Sequence, residues 1–221
     1  MVHFVGAGPG APDLITVRGK QYLEEADVVI YAGSLVNPKL LEYTKDICTI
    51  HNSAKMTLEE VIHVIEKAEA EGKTTVRLHT GDPCIYGAIR EQMDILDEKN
   101  IAYDYCPGVS AFCGAASALN LEYTLPDISQ SVIITRMEGR TPVPSKESIQ
   151  SFAAHQATMV VFLSTGMLEE LSRRLKLKAV IQQIHQQPLY IRQPGRNRRP
   201  SSAQWEHWQK RLQKIILQKL L

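Results

Sequence analysis

The stretch VHFVGAGPGAPDLIT, residues 2–16, sets the fold class of this 221-residue chain. Val2–Val5 is a short apolar run typical of a buried strand, and a glycine-rich loop follows it directly. Thr16–Glu25 comes next and predicts an amphipathic helix with Thr16 as its N-cap. A strand, a loop and a helix in this order predict the start of an α/β layer structure.

The loop Gly6–Ala11, GAGPGA, fits the dinucleotide-binding pattern G-x-G-x-x-G/A. An acid, Asp27, follows at about the twenty-residue distance that the pattern expects. Two features weaken this interpretation, because Asp27 lies at the amino end of the second strand and Pro12–Leu14 separates the glycines from the helix. A purely structural turn and a loop that borders a substrate cleft are the alternatives, and we favour the cleft.

Strands and helices continue to alternate beyond this opening. Thr57 and Glu60 form a capping-box pattern at the start of one helix. The predicted strands are Asp27–Tyr31, Thr75–Leu78, Tyr103–Tyr105, Ser131–Thr135 and Thr158–Leu163. The predicted helices are Thr57–Ala70, Ile85–Glu98, Ser110–Leu119, Lys146–Ala154 and Met167–Leu175.

The composition is that of a soluble globular protein, with 44% hydrophobic and 22% charged residues. No apolar run is long enough to span a membrane, and the first residues lack the pattern of a secretory signal. The four cysteines show neither a CxxC pair nor a metal-binding spacing. We therefore expect a cytoplasmic protein with reduced thiols, no metal site, and no membrane or nucleic-acid partner.

Four motifs, in order, resemble those of the tetrapyrrole methylase family. They are Val5–Thr16 (VGAGPGAPDLIT), Leu78–Gly87 (LHTGDPCIYG), Pro107–Ala111 (PGVSA) and Thr158–Ser164 (TMVVFLS). The resemblance covers roughly residues 1–175. Within the family, Val132–Pro144 (VIITRMEGRTPVP) is similar to the branch that methylates C11 of precorrin-4 or of its cobalt complex.

The resemblance implies two α/β domains with the active-site cleft between them, and a homodimer. It implies S-adenosylmethionine as methyl donor, S-adenosylhomocysteine as product, and a tetrapyrrole as substrate in cobalamin biosynthesis. Two alternatives stay open. One is a sibling methyltransferase that acts at another ring carbon, and the other is a truncated, inactive protein that still binds the cofactor.

The same resemblance implies a set of cofactor contacts. These are backbone contacts from Gly81, Asp82 and Ile85, a pocket lining from Ser110 and Ala111, and a main-chain contact from Leu163 to the adenine half. Methyl transfer from a sulfonium to carbon is an in-line displacement that depends mostly on alignment. The catalytic residue therefore stays unassigned, and His79 and His155 are interpreted as packing or surface residues.

The substrate's carboxylates call for fixed cations, and guanidinium groups suit carboxylates well. Arg136 and Arg140 lie in a proline-stiffened loop and are predicted to bind substrate, with solvated surface charge as the alternative. Arg77 and Arg90 are weaker candidates. Gly8 and Pro9, in the first loop, are predicted to border the substrate.

The chain divides into a predicted N-terminal domain, 1–120, the start of a C-terminal domain, 121–177, and a foreign tail, 178–221. The tail holds nine of the 25 Lys and Arg residues but one of the 24 acids, so residues 1–177 carry a net charge of −7. From Ala179 onward, the third base of each codon can be read together with the first two bases of the next codon. Among the permitted codons, this shifted frame allows the string GYSADTPAAVVYTATWP, which resembles strands that family members have and this chain lacks. We therefore interpret the tail as a frameshift that leaves the second domain incomplete; a natural basic, amphipathic tail is the alternative.

Overall fold

A computed structural model describes residues 1–176 of the chain. These residues form two compact units, one ending at Ser117 and the other beginning at Ala118, and each is described by itself. The predicted tail, 178–221, lies outside the described residues, and so does its consequence for the second domain. Within the described part, no helix combines the length and apolar character needed to cross a membrane.

The first unit is built on a five-stranded, wholly parallel sheet with strand order β3-β2-β4-β1-β5. Its strands are β1 (Val2–Gly6), β2 (Val28–Tyr31), β3 (Thr49–Asn52), β4 (Thr75–His79) and β5 (Tyr103–Cys106). Its helices are α1 (Val17–Glu25), α2 (Leu58–Ala70), α3 (Arg90–Glu98) and α4 (Ala111–Leu119), the last of which continues to the second unit. The predicted α/β class with a parallel sheet is confirmed.

Alternating side chains of the central strands supply a core on each face of the sheet. Phe4 and Ile30 point to one face and pack in a buried cluster with Ile65 of α2 and Leu96 of α3. Their chain neighbours on β1 and β2 contribute to a second cluster on the opposite face, which includes Leu23 of α1. Burial on both faces explains why these strands read as continuous apolar runs.

The helix starts that the sequence marked are built as expected. The Thr16 hydroxyl accepts a hydrogen bond from Gly19 N at 3.1 Å and caps α1. Thr57 and Glu60 form the complete capping box of α2, with both side-chain-to-backbone bonds in place. Because each bond satisfies a backbone N–H that has no partner within the helix, these caps fix where the helices begin.

The structure corrects several predicted boundaries. The helix predicted over Ile85–Glu98 begins at Arg90, because Tyr86 and Ala88 have φ values of 58° and 49° that no right-handed helix accepts. The helix predicted over Lys146–Ala154 is split at Ser148, which is extended and caps the helix that follows. Strand β3 was missed because its residues are mostly exposed and lack an apolar pattern.

The position of Asp27 excludes the dinucleotide interpretation of the first loop. Asp27 lies at the amino end of β2, where its carboxylate accepts hydrogen bonds from Thr74 N at 3.0 Å and Lys45 Nζ at 3.1 Å. These bonds, first that of Thr74 and then that of Lys45, lower the pKa of Asp27. A ribose-binding acid belongs at the carboxyl end of a strand, so Asp27 is a structural anchor instead.

The second unit contains a pair of parallel strands among its described residues, β6 (Val132–Arg136) and β7 (Thr158–Phe162). Two helices accompany them, α5 (Ile149–Ala153) and α6 (Leu168–Lys176). The β6-α5-β7 order is that of a parallel crossover unit. Ser164 ties the ends of the two strands, since its hydroxyl accepts from Met137 N at 3.2 Å and donates to Phe162 O at 2.7 Å.

Candidate active site

Three loops meet at the carboxyl edge of the first unit's sheet, where open α/β sheets bind their ligands. They follow β1, β4 and β5, and they carry three of the four sequence motifs. Gly8 and Gly81 join the first two loops through a pair of backbone hydrogen bonds, Gly8 N to Gly81 O at 3.2 Å and Gly81 N to Gly8 O at 2.9 Å. The first two motifs therefore form one continuous backbone surface.

The third loop joins this surface through glycine contacts that leave no room for a side chain. A Cβ on Gly6 would lie 2.5 Å from Gly108 Cα, and a Cβ on Gly108 would lie 2.7 Å from Gly6 Cα and overlap the Gly81 carbonyl. Gly81 itself has a φ of 59°, a conformation that favours glycine. We call Gly6, Gly81 and Gly108 the glycine junction, since a side chain on Gly6 or Gly108 would push the loops apart and one on Gly81 would be strained.

The Asp82 carboxylate fastens the second and third loops together. Its Oδ1 accepts from Cys84 N at 2.9 Å and from the Tyr105 hydroxyl, and its Oδ2 accepts from Gly108 N at 3.2 Å. Partial burial alone would raise the pKa of Asp82, but the hydrogen bonds from Tyr105, Cys84 and Gly108 hold it below its usual value. The side chain is thus an internal clamp, and the backbone of the loop is the part available to a ligand.

Tyr105 is the side-chain partner in this clamp. Burial first, and then its hydrogen bond to the Asp82 carboxylate, raise the pKa of Tyr105 well above its usual value. The hydroxyl therefore stays protonated and remains a donor throughout the physiological pH range. Sequence reasoning missed Tyr105, because nothing in the pattern YDYC indicates a contact with a residue 23 positions earlier.

The predicted cofactor residues of the first unit lie next to one another around the glycine junction. Ser110 is buried and precedes α4, and its carbonyl accepts from Gly114 N at 3.1 Å in the first turn of that helix. A Cβ built on Gly81 would lie 3.3 Å from Ala111 N, so that helix start faces the second loop. Ile85 N donates to Asp82 O at 3.2 Å and closes the turn after the junction.

Pro9 packs against α4 rather than projecting freely from the first loop. A Cβ on Gly114 would lie 2.6 Å from the Pro9 Cγ, so a glycine is required where the two segments touch. The first loop is therefore held both by α4 and by the Gly8–Gly81 bonds. This fixed backbone is consistent with a loop that borders a ligand.

Arg77 and His79 are buried on β4, just before the second loop. Arg77 donates through Nε to Gln92 Oε1 and through Nη1 to Ile30 O, both at 3.0 Å, and burial lowers the pKa of Arg77 to about 10. Burial, and then the charge of Arg77, lower the pKa of His79 to about 3, so its ring is neutral. Its Nε2 has no hydrogen-bond partner within residues 1–176. The burial of His79 agrees with a packing role. Arg77 is buried as well, so its guanidinium is poorly placed to bind a substrate.

The remaining predicted site residues lie in the second unit. The Arg136 guanidinium donates to the carbonyls of Met137, Thr141 and Pro142 at 3.0–3.2 Å and so stabilises its own loop. Arg140 is exposed, and it lines a pocket of about 490 Å³ with Glu138, Gly139, Pro142, Val143, Ser145 and Ser148. Of the two arginines, Arg140 is the one whose guanidinium is not bonded to its own loop.

Leu163, directly after β7, has a φ of 54° and a side chain that is 67% exposed. Both features are unusual for leucine. The left-handed conformation alone costs a residue with a Cβ roughly 1–2 kcal/mol. Such strain tends to persist at functional positions. The predicted main-chain contact from Leu163 to the ligand therefore stays a prediction.

Comparison with known proteins agrees with this arrangement of motifs. The profile of the family described as Tetrapyrrole (Corrin/Porphyrin) Methylases matches residues 1–187. The chain belongs to the tetrapyrrole methylases. It is 56% identical over 174 residues to a cobalt-precorrin-4 C(11)-methyltransferase of Methanocaldococcus jannaschii, a match that covers 79% of this chain and 67% of that relative.

Solved structures of other tetrapyrrole methylases resemble this one. A cobalt precorrin-4 methyltransferase, described as a cobalamin biosynthetic enzyme, superposes with a TM-score of 0.76 at 44% identity, over 79% of this chain and 73% of that one. A uroporphyrin-III C-methyltransferase from Thermus thermophilus, complexed with S-adenosylhomocysteine, gives a TM-score of 0.60 at 25% identity, over 78% and 72% of the two chains. The α/β fold and the family are therefore shared across this group.

Proposed function

We propose that this tetrapyrrole methylase transfers a methyl group from S-adenosylmethionine to C11 of precorrin-4, in its cobalt form, during cobalamin biosynthesis. The observation that carries the proposal is the 56% identity to a cobalt-precorrin-4 C(11)-methyltransferase over 174 residues. The glycine junction supports the proposal, because it holds three loops together at the carboxyl edge of the sheet, where open α/β sheets bind their ligands.

The methyl donor fits the backbone surface at the carboxyl edge. The proposed contacts are the main-chain groups of Gly81, Asp82 and Ile85, with Ser110 and Ala111 lining the pocket. Main-chain groups approach a ligand closely only where no side chain intervenes, and the glycine at position 81 meets that condition. The structure of a family member with bound S-adenosylhomocysteine supports the same class of ligand here.

Alignment, rather than acid–base chemistry, is the work we assign to these residues. When bound, S-adenosylmethionine supplies an activated methyl group. The chain's part is to hold the donor and the acceptor carbon in line at about 3–3.5 Å, which accounts for a large share of the acceleration in such displacements. A rigid backbone cradle, fixed by the Asp82 clamp, suits that task.

Substrate binding is proposed for Gly8, Pro9 and Arg140. Arg140 stands in an open pocket, and a guanidinium there would pair with a carboxylate of the tetrapyrrole. Arg136 contributes by shaping this loop through its three carbonyl contacts. Leu163 would present its main chain to the adenine half of the methyl donor. By its family resemblance we further propose a cytoplasmic homodimer.

A sibling activity at another ring carbon is the second candidate. It is favoured by the similarity to uroporphyrin-III C-methyltransferase, which has the same fold and a different substrate in its name. A protein that binds the methyl donor without transferring the methyl group is a third candidate, and it depends on the tail at 178–221.

The test is incubation of the chain with ¹³C-methyl-labelled S-adenosylmethionine and either precorrin-4 or cobalt-precorrin-4. We expect one labelled methyl group, assigned by NMR to C11, and faster transfer to the cobalt complex. Label at a different carbon would favour the sibling activity. Binding of S-adenosylhomocysteine without label transfer to either substrate would overturn the catalytic proposal.

A further inference from the structure

A chain of three hydrogen bonds, two of them buried and the third partly buried, links the sheet of the first unit to the loop between β4 and α3, residues 80–89. Arg77 Nη1 donates to Ile30 O on β2 at 3.0 Å, and Arg77 Nε donates to Gln92 Oε1 at 3.0 Å. Gln92 Nε2 then donates to Ala88 O at 2.9 Å. Gln92, on α3, is thus the one side chain in this series that contacts the loop itself.

Gln92 occupies a position where an apolar residue would be expected. It is 5% exposed and lies four residues before the buried Leu96, on the face of α3 that packs on the sheet. Its amide oxygen serves Arg77, which is 6% exposed and pairs with no carboxylate within residues 1–176. The amide oxygen of Gln92 is therefore bonded to Arg77, and its Nε2 group donates to the loop at Ala88 O.

The loop that receives this bond has an unfavourable backbone conformation. Tyr86 and Ala88 both have left-handed φ values, 58° and 49°. Residues with a Cβ stay in such conformations only where their surroundings hold them. The bond from Gln92 Nε2 fixes the carbonyl of Ala88, one of the two strained residues.

We propose that Gln92 is a positioning residue for the cofactor loop, and that its N–H donor keeps the segment from Gly81 to Ala88 in its ligand-binding geometry. The proposal rests on the function proposed above, because it takes Gly81, Asp82 and Ile85 to contact the methyl donor. Gln92 touches neither the donor nor the substrate in this account, and it acts through the carbonyl of Ala88.

Glutamate at this position separates positioning from stability. Gln92→Glu keeps an acceptor for Arg77 and places a negative charge beside a buried cation, so the fold loses nothing at that contact. The same change removes the N–H donor and sets a carboxylate oxygen against the Ala88 carbonyl. Gln92→Met removes both bonds, and Gln21→Glu makes the same chemical change on an exposed position of α1.

Chymotrypsin cleavage after Tyr86 reports on the loop without any ligand. We expect Gln92→Glu to unfold thermally at or above the wild-type temperature and yet to be cleaved about fivefold faster or more, the factor for roughly 1 kcal/mol of lost local stability. Gln21→Glu should match the wild type in both measurements. Cleavage of Gln92→Glu at the wild-type rate would overturn the proposal, as would faster cleavage that merely follows a lowered unfolding temperature.

Calorimetric titration with S-adenosylhomocysteine then connects the loop to binding. We expect about tenfold weaker binding by Gln92→Glu and wild-type binding by Gln21→Glu. Equal affinities for Gln92→Glu and the wild type would remove the positioning role. Failure of the wild type to bind would count against the proposed function, whereas the cleavage comparison would still decide whether Gln92 holds the loop.

Discussion

At the scale of single residues, the molecule uses Asp82 as a structural clamp rather than as a reacting group. Its carboxylate accepts hydrogen bonds from Cys84 N in its own loop, from Gly108 N in the loop after β5, and from the Tyr105 hydroxyl on β5 itself. An aspartate after a glycine is commonly a turn residue, and sequence alone cannot tell such a turn from a bond between loops. The clamp explains why an ionised carboxylate is kept in a site whose chemistry needs no acid or base.

Substitution at the clamp should cost stability in proportion to the bonds removed. Asp82→Asn removes the charge and turns an amide donor toward groups that are themselves donors, so we expect a loss of about 1–3 kcal/mol in the free energy of unfolding. Tyr105→Phe removes one hydrogen bond and should cost about 1 kcal/mol. Urea denaturation of the three proteins measures both, and equal stability of Asp82→Asn and the wild type would contradict the clamp.

The depressed pKa of Asp82 makes a prediction about acid. A carboxyl whose pKa is lower in the folded than in the unfolded chain stabilises the fold above the unfolded value, about 3.9, and loses that contribution as the pH falls through the folded value. The wild type should therefore lose stability below about pH 4 more steeply than Asp82→Asn. Denaturation midpoints measured between neutral pH and acid check this, and parallel curves would argue against an ionised clamp.

At the scale of elements, periodicity predicted the strands and helices well where burial follows a simple pattern. The capping box of α2 and the apolar strands β1, β2 and β4 carry local signals. The start of α3 carries no such local signal. Its boundary depends on the left-handed Tyr86 and Ala88, and neither residue favours that conformation by itself. The side-chain-to-backbone bond from Gln92 Nε2 to Ala88 O, four residues earlier, stabilises the turn, and apolar periodicity does not indicate such a bond.

For the candidate site, the sequence indicated the loops at the carboxyl edge but not all of the contacts that hold them together. The glycine loops predicted a ligand site at the carboxyl edge of the sheet, because glycines after a strand indicate close approach of the backbone to a ligand or to another segment. Tyr105 gave no such signal, and the polar Gln92 on an otherwise apolar helix face was a signal that sequence reasoning passed over. Arg136 was predicted to bind substrate, and its guanidinium also donates to three carbonyls of its own loop, which the sequence did not indicate.

The left-handed conformation of Ala88 predicts an unusual response to glycine. Ala88→Gly removes the penalty of a Cβ at a φ of 49°, so we expect no loss of stability and a gain of up to about 1 kcal/mol. Ala115→Gly, at an exposed position inside α4, should instead cost about 0.5–1 kcal/mol. Thermal unfolding of the two variants side by side tests this, and an equal loss in both would mean that Ala88 is not strained.

At the scale of the whole molecule, two levels of similarity give the same result. The four motifs lie within residues 1–175 and the family profile matches residues 1–187, so both place this part of the chain in the tetrapyrrole methylases. The segment aligned with the relative from Methanocaldococcus jannaschii covers about two thirds of that relative. The charge of the tail, with nine basic residues and one acid, differs from that of the rest of the chain. The frameshift interpretation treats that difference as a product of the wrong reading frame.

The nucleotide sequence tests this interpretation. We expect a one- or two-base insertion or deletion near codons 174–179, and correction of it should restore the string GYSADTPAAVVYTATWP. The corrected chain should bind S-adenosylhomocysteine more tightly than the present one, because the restored strands would complete the second domain. An intact frame through this region would leave a natural basic tail as the explanation.

The most direct test of the cofactor site is calorimetric titration of S-adenosylhomocysteine into the chain and into two alanine variants. Gly108→Ala adds a Cβ that would lie 2.7 Å from Gly6 Cα, whereas Gly166→Ala adds one with nothing within 4 Å. We expect binding by the wild type, equal binding by Gly166→Ala, and binding about tenfold weaker or worse by a folded Gly108→Ala. Absence of binding by the wild type, or undiminished binding by Gly108→Ala, would contradict a cofactor site at the glycine junction.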